Sequence, residues 1–232
     1  MNEVLRQEKK FLISLAQMYE YSGMLEKIMM ADVHNQGDGY VIRSLYFDTL
    51  DDKDYTEKED GVELRRKIRL RCYGSDFSYG VLEMKQKQGA MQKKRSLKMS
   101  KEDAVKLIHR DYGVLLNYED PFAQECYALM SLQGYVPKSV VEYRRKAYIA
   151  KENKIRVTFD HHIVGTESCF DIFRKDLLQN SLLEPYLAVL EVKFNGFLLT
   201  YIKDLLLRCQ KSELSVSKYS LSRAVSKHYT FM

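Results

Sequence analysis

The chain has 232 residues, 45% of them apolar and 30% charged, with only three prolines and eleven glycines. This composition excludes collagen-like, mucin-like and linker-rich chains, and the length is ample for a sizeable core in a single domain spanning residues 1–232. The net charge of +5 is too small to name a partner until the placement of the charges is known.

A first strand is predicted where Arg6, Glu8 and Lys10 alternate. A helix follows over residues 14–30, opened by a capping box at Ser14 and Gln17 and carrying Leu15, Met18, Leu25 and Met29. Residues 41–48 read as a strand. Arg65, Lys67, Arg69 and Arg71 lie two residues apart and so share one strand face; Glu83, Lys85 and Lys87 do the same around Leu82 and Met84. Lys93-Lys94-Arg95, shortly after Gly89-Ala90, reads as a solvated polar loop. Ser100 caps a helix to about residue 110, and Asp120-Pro121 supply the N-cap and first turn of another to about residue 132. The strand at 140–149 places Tyr143 and Arg145 together. At 154–160, Lys154, Arg156, Thr158 and Asp160 oppose Ile155, Val157 and Phe159. Residues 170–173 are expected to add a strand, and at 190–194 Glu191 and Lys193 oppose Leu190, Val192 and Phe194. Asn195-Gly196 precede a helix to about residue 209, and Ser217 caps a last one to about residue 229.

Met1-Asn2-Glu3-Val4 contain no basic stretch leading into an apolar run, so no signal peptide is expected. No segment reaches the roughly 18 apolar residues needed to span a bilayer. Cys72, Cys126, Cys169 and Cys209 are scattered without ligand spacing, which points to buried free thiols and a cytoplasmic location. His161-His162 reads as a turn or surface pair, and Tyr46 and Tyr73 as core or wall aromatics.

A wet outer face would explain the charges on one such strand. Five or six strands of this kind, together with helices that must cover apolar surface, call for another packing. Helices lie on the apolar faces, the charged faces turn inward, and the sheet curls into a barrel with a charged lumen. Arg6, Lys10, Arg69, Arg71, Lys85, Lys87, Arg145, Arg156 and Lys193 bring nine positive charges to it, against Glu8, Glu83 and Glu191. Such a surplus repels itself unless a polyanion occupies the space. The carboxylates among the cations would supply oxygen ligands for Mg²⁺ or Mn²⁺ shared with phosphate. Arginine forks suit phosphate, and lysine acts as a point charge. The pattern asks for a linear phosphate chain. Neither a P-loop nor a dinucleotide fingerprint is present, and alternation on strands without an aromatic stacking motif argues against a nucleic-acid surface.

Several motifs resemble one family in order along nearly the whole chain. They are Arg6-Gln7-Glu8-Lys9-Lys10-Phe11, Ile42-Arg43-Ser44-Leu45-Tyr46-Phe47-Asp48-Thr49 and Lys67-Ile68-Arg69-Leu70-Arg71-Cys72-Tyr73. Leu82-Glu83-Met84-Lys85-Gln86-Lys87, Tyr143-Arg144-Arg145-Lys146-Ala147, Arg156-Val157-Thr158-Phe159-Asp160, Leu190-Glu191-Val192-Lys193-Phe194 and Ser217-Lys218-Tyr219-Ser220 complete the set. Together they resemble the VTC domain, the catalytic domain of the vacuolar transporter chaperone complex and its bacterial stand-alone relatives. That domain belongs to the triphosphate tunnel metalloenzymes of the CYTH-like superfamily.

The resemblance implies an α+β fold: an antiparallel eight-stranded barrel tunnel with helices packed outside. It implies polyphosphate synthesis from ATP, the terminal phosphoryl group passing to a growing chain with Mn²⁺ or Mg²⁺. Carried over, Arg69, Arg71, Lys85, Arg145 and Arg156 clamp phosphates, and Lys10 sits near the reacting groups. Tyr143 offers its hydroxyl; Arg6, Lys87, Lys193, Ser217 and Lys218 add substrate contacts; Glu191, with Glu8 or Glu83, holds the metal. The wider superfamily has a glutamate where this chain has Arg6, a replacement that resembles the polymerase branch. Ser215 stands where the family's polymerase has a lysine, with Lys211 nearby. A metal-dependent triphosphatase and a non-catalytic polyphosphate-binding module remain as alternatives on the same fold. Oligomeric state is not implied, and a membrane-protein partner is allowed by the resemblance.

Overall fold

The computed structural model describes residues 6–74, 77–89, 91–209 and 217–229. In chain order the elements are β1 (Arg6–Ser14), α1 (Leu15–Leu25), β2 (Met30–Ala31), β3 (Tyr40–Asp48), α2 (Lys53–Glu59), β4 (Leu64–Tyr73), β5 (Tyr79–Gln88) and β6 (Met91–Ser100). There follow α3 (Lys101–Ile108), α4 (Pro121–Leu132), β7 (Val136–Ile149), β8 (Arg156–Thr166), β9 (Asn180–Ser181), β10 (Leu187–Asn195), α5 (Thr200–Leu207) and α6 (Lys218–Tyr229). They divide between two compact units. One comprises residues 1–41, 143–164 and 181–217; the other comprises 42–142, 165–180 and 218–232. The strand β7 contributes to both.

In the first unit β1 pairs with β10 and β10 with β8, both antiparallel, and β2 pairs with the end of β7. The expected capping box is present: Ser14 Oγ accepts from Gln17 N and Gln17 Oε1 from Ser14 N, which starts α1. Alternation puts Phe11, Leu190, Val192, Val157 and Phe159 on one side, where they are buried beneath Met18, Tyr21 and Leu25 of α1 and Ile202, Leu205 and Leu206 of α5. Helices therefore cover the apolar side and leave the charged residues on the other, as the parity argument requires.

In the second unit β3–β4–β5–β6 form an antiparallel meander. Ile68, Leu70, Leu82, Met84, Leu97 and Met99 are buried on its apolar side. There α3 lies so close that a Cβ on Gly80 would come 2.8 Å from Ala104 Cβ. Asp120 caps α4 by accepting from Phe122 N, with Pro121 in the first turn, and Ser100 caps α3 by accepting from Asp103 N.

The α+β class and the antiparallel sheet are as expected, with two corrections. Among the described residues ten strands occur rather than eight, because β2 and β9 are two-residue bridges too short for alternation to reveal. Eight strands form the continuous order β1-β10-β8-β7-β3-β4-β5-β6, and no pair joins β1 to β6 among the described residues, so the closed barrel is not observed. Alternation dictates which face is apolar, whereas closure depends on edge pairing, and β6 carries edge-protecting lysines at 93, 94 and 98. Local expectations also shift. Lys93-Lys94-Arg95 belong to β6 instead of a loop, residues 170–173 form no strand, and the first helix ends at Leu25.

Candidate functional site

The register of the second unit arranges one sheet face in rows. Ser44, Arg71, Val81 and Lys98 form one, and Tyr46, Arg69, Glu83 and Ser96 the next. Lys67, Lys85 and Lys94 face one another directly across β4, β5 and β6, followed by Arg65, Lys87 and Gln92. Eight cations on three strands thus surround one carboxylate, Glu83. Like charges opposite one another on neighbouring strands are destabilising.

Glu83 organises the cations around it. Its side chain is 3% exposed; Oε2 accepts from Arg69 Nε at 2.7 Å and lies 3.6 Å from Arg71 Nη1, while Lys94 pairs with Oε1. Burial pushes its carboxyl up, but Arg69, Arg71 and Lys94 outweigh burial and hold it down at about 2. Arg71 Nε also donates to Ser44 Oγ at 3.1 Å. Lys67 Nζ stands 5.9 Å from the Tyr46 ring and 5.6 Å from the Tyr219 ring. Tyr46 and Tyr219 stack at 5.0 Å, and the Tyr219 hydroxyl donates to Asp48 Oδ2 at 2.7 Å, docking the start of α6 beside this face. Lys218 opens α6, immediately after Ser217.

The first unit carries a different face. Glu8, Lys193 and Arg156 form one row and Lys10, Glu191 and Thr158 another. Glu8 Oε1 is 2.9 Å from Lys10 Nζ, and Glu191 Oε1 is 2.5 Å from Lys193 Nζ. Arg145 grips Asp160 with both prongs, Nε at 2.6 Å and Nη2 at 2.8 Å, reaches Glu191 Oε2 at 3.7 Å, and lies 5.4 Å from the Tyr143 ring. Burial opposes the charge on Glu191, yet Lys193, Lys10, a hydrogen bond with Glu8 and Arg145 hold its carboxyl well below the ordinary range. Lys10 is raised: burial acts against it, and Glu191 and Glu8 outweigh burial. Four cations here meet Glu8, Glu191, Asp160 and Asp32, so this face is nearly balanced.

A divalent cation can be tested against this donor set. Among the described residues no group of three or more His, Cys, Asp or Glu side chains is placed to hold a metal. An all-protein cage is therefore absent there, but Mg²⁺ or Mn²⁺ is ordinarily bound through one or two carboxylates plus substrate phosphates. Glu8 and Glu191 are within hydrogen-bonding reach of each other, a juxtaposition that a shared cation relieves. Thr158 Oγ1, in the same row as Glu191, is buried without a hydrogen-bond partner. Two adjacent carboxylates and an orphaned hydroxyl fit a hard cation completed by phosphate oxygens. Glu83 fits less well, since both its oxygens face cations.

The structure thus gathers Arg69, Arg71, Lys85, Lys87 and Glu83 on one face, and Glu8, Lys10, Tyr143, Arg145, Arg156, Glu191 and Lys193 in the other unit. Arg6 opens β1, but its side chain lies outside the described residues, as do Lys211 and Ser215. Sequence reasoning left out Lys94 and Lys98, although Gln92, Lys94, Ser96 and Lys98 alternate with Leu97 and Met99. It also left out Thr158 as a site residue and the anchor Asp32. His161 is fully buried, contrary to expectation: its Nε2–H donates to the Asp38 carbonyl at 2.8 Å and its Nδ1 lies 2.6 Å from His162 Nδ1. Cys72, Cys126 and Cys209 are buried free thiols, whereas Cys169 is half-buried.

The VTC domain model matches residues 5–227. A crystal structure of a candidate adenylate cyclase from Bacillus halodurans is similar at 14% identity and a TM-score of 0.55, covering 94% of this chain and 96% of that one. The PH1819 protein of Pyrococcus horikoshii is similar at 10% identity over 96% of this chain and 99% of its own, with a TM-score of 0.47. No curated protein matches. The first of these likenesses supports the shared fold alone.

Proposed function

The chain belongs to the VTC domain family, and from that premise we propose that it is a polyphosphate polymerase drawing on ATP. The observation that carries this reading is the row Lys67, Lys85 and Lys94, set in a face of eight cations with one carboxylate. Unligated, that face is electrostatically costly; a chain of phosphates, with one or more negative charges per unit, neutralises it.

In this reading Arg69, Arg71 and Lys85, joined by Lys67 and Lys94, hold phosphate oxygens, with Lys87 and Lys98 extending the grip. Glu83 orients Arg69 and Arg71 for that role. On the first unit's face, Arg145 and Arg156 bind phosphate, Tyr143 offers its hydroxyl, and Lys10 and Lys193 neutralise charge. Glu191 and Glu8 would hold Mn²⁺ or Mg²⁺, which supplies electrostatic stabilisation of developing charge on phosphoryl oxygens. Arg6, Ser217 and Lys218 add contacts to substrate. A terminal oxygen of the acceptor chain attacks the γ-phosphorus of ATP. The bond from that phosphorus to the β,γ-bridging oxygen breaks, and ADP leaves with the electron pair. Phosphoryl transfer of this kind needs alignment and charge neutralisation, not a side-chain nucleophile.

In this reading the reaction draws on cytoplasmic ATP. No helix among the described residues is long and apolar enough to cross a membrane. The test is incubation with ATP and Mn²⁺ or Mg²⁺, followed by sizing of the product on gels. Long-chain polyphosphate with matching ADP, lost in Arg69→Ala and Arg156→Ala, is expected. Orthophosphate alone would replace the polymerase with a triphosphatase; polyphosphate binding without turnover under either metal would leave a binding module.

A further inference from the structure

Arg156 has an anchor that no motif includes. Its Nη2 donates to Asp32 Oδ2 at 2.8 Å and to the Tyr40 hydroxyl at 3.2 Å. Asp32 belongs to residues 32–39, an irregular segment between β2 and β3. This segment is strapped firmly to the same unit. Asn35 pairs with Ala147 as a strand residue would, Nδ2 donating to its carbonyl at 2.8 Å and Oδ1 accepting from its N–H at 3.0 Å. The Asp32 N–H also donates to the Ala147 carbonyl, and His161 Nε2–H to the Asp38 carbonyl. Gly39, at φ +107°, approaches so closely that a Cβ there would lie 2.3 Å from the Arg145 carbonyl oxygen.

We infer that Asp32 is a positioning residue, holding the Arg156 guanidinium in the orientation that receives a phosphate. The inference rests on the phosphate reading given above. The Asp32 side chain is 8% exposed and that of Arg156 33%, so the carboxylate is the enclosed support and the guanidinium the presented group. Asp32 and Tyr40 engage one of the three guanidinium nitrogens, and Nε and Nη1 retain their hydrogens as donors to phosphate oxygens. The second carboxylate oxygen is fixed from within the strap, accepting from His34 N at 3.1 Å and facing His34 Nδ1 at 2.9 Å. Asp32 therefore cannot turn away without breaking the strap's own bonds.

Charge and position predict opposite signs for its removal. An acid beside a cation repels a polyanion through space, so its loss should tighten binding; a support that orients the cation should weaken binding when lost. Asp32→Asn is the discriminating change, because its shape is retained. Whichever way the amide is turned, its NH₂ meets either the Arg156 donor or the His34 N–H. The experiment is calorimetric titration of the full chain with inorganic tripolyphosphate, for wild type, Asp32→Asn, Tyr40→Phe, Arg156→Ala and the Asp32→Asn/Arg156→Ala double variant. Asp32→Asn should weaken binding about tenfold, as expected for one charge-assisted hydrogen bond, and Tyr40→Phe less so in the same direction. The double variant should bind no worse than Arg156→Ala alone. Unchanged or tighter binding by Asp32→Asn overturns the inference, as does full additivity with Arg156→Ala, the sign of a merely structural role. Should Asp32→Asn fail to fold, Tyr40→Phe and its double variant with Arg156→Ala decide by the same criterion of non-additivity. Wild type that does not bind tripolyphosphate refutes the phosphate reading itself, and the inference with it.

Discussion

Glu83→Gln isolates the carboxylate around which the second unit's cations are arranged. The native carboxyl titrates at about 2 against an ordinary value of 4.5, because Arg69, Arg71 and Lys94 outweigh the burial that opposes its charge. A depressed pKa means that the folded state binds its proton less readily than the unfolded chain. The stabilisation is complete above pH 4.5 and is lost as pH falls toward 2. The difference corresponds to about 3 kcal/mol, at about 1.4 kcal/mol for each unit. Glutamine keeps the volume and loses the charge, leaving three cations without their counter-ion. Urea unfolding of both proteins from pH 7 to pH 2 should show the variant about 3 kcal/mol less stable at neutrality, with the gap closing in acid. Tripolyphosphate at saturation should narrow the gap at pH 7, because phosphate oxygens replace the missing carboxylate. A gap of equal size at pH 7 and pH 2, or none at pH 7, would refute the assignment of Glu83 as the hub of this face.

Other outcomes follow from individual contacts. Gly39→Ala should lower stability by more than about 2 kcal/mol in thermal unfolding, since its Cβ would meet the Arg145 carbonyl at 2.3 Å and its φ is +107°. Asp54 is 1% exposed and its carboxyl is pushed up to about 7 by burial and by the charge of Asp48. A raised acid pKa costs stability as pH rises from 3.8 through 7, so Asp54→Asn should gain up to about 4 kcal/mol at pH 8 and almost nothing at pH 3 in urea unfolding. Lys87→Ser removes a like-charge pair with Arg65 and should raise the stability of the ligand-free protein by a few tenths of a kcal/mol while flattening the salt dependence of tripolyphosphate binding. Thr158→Val deletes a buried hydroxyl that has no partner, so calorimetry should find the ligand-free protein at least as stable and its affinity for manganese tripolyphosphate reduced.

Much of the architecture could be read from alternation, because a charged residue at every second position can be explained only by a strand with two unlike faces. Arg65 to Arg71 and Glu83 to Lys87 identified β4 and β5 and the face they share, and Glu191 with Lys193 identified β10. The same logic failed at β6, whose outer half has almost no apolar residue to set against Lys93 and Lys94. It also missed α2, a polar seven-residue helix, where the signal lies in Asp48: its two oxygens accept from the Asp54 and Tyr55 N–H groups. Ile172 and Phe173 looked like strand residues because they are buried, but they pack without joining a ladder. The Asp32 anchor was illegible for a different reason. Its partner Arg156 is 124 residues away, and no local pattern connects a loop aspartate to a strand arginine at that separation.

The pairing of β1 with β10 has a consequence for how the protein is made. Arg6 lies opposite Asn195, so the first strand emerges from the ribosome long before the strand that completes it. At about 5–20 residues per second, that interval is on the order of 10 to 40 seconds. Throughout it, Phe11 and Ile13 have no β10 to lie against. Within the meander β3–β6 each strand pairs with the next in sequence, so these pairs can assemble while synthesis continues. Translation thus imposes an order on maturation: the pairs within the cationic meander form early, the β1–β10 pair that carries Glu8 and Glu191 forms late, and a chain arrested before β10 exposes an unpaired strand to aggregation.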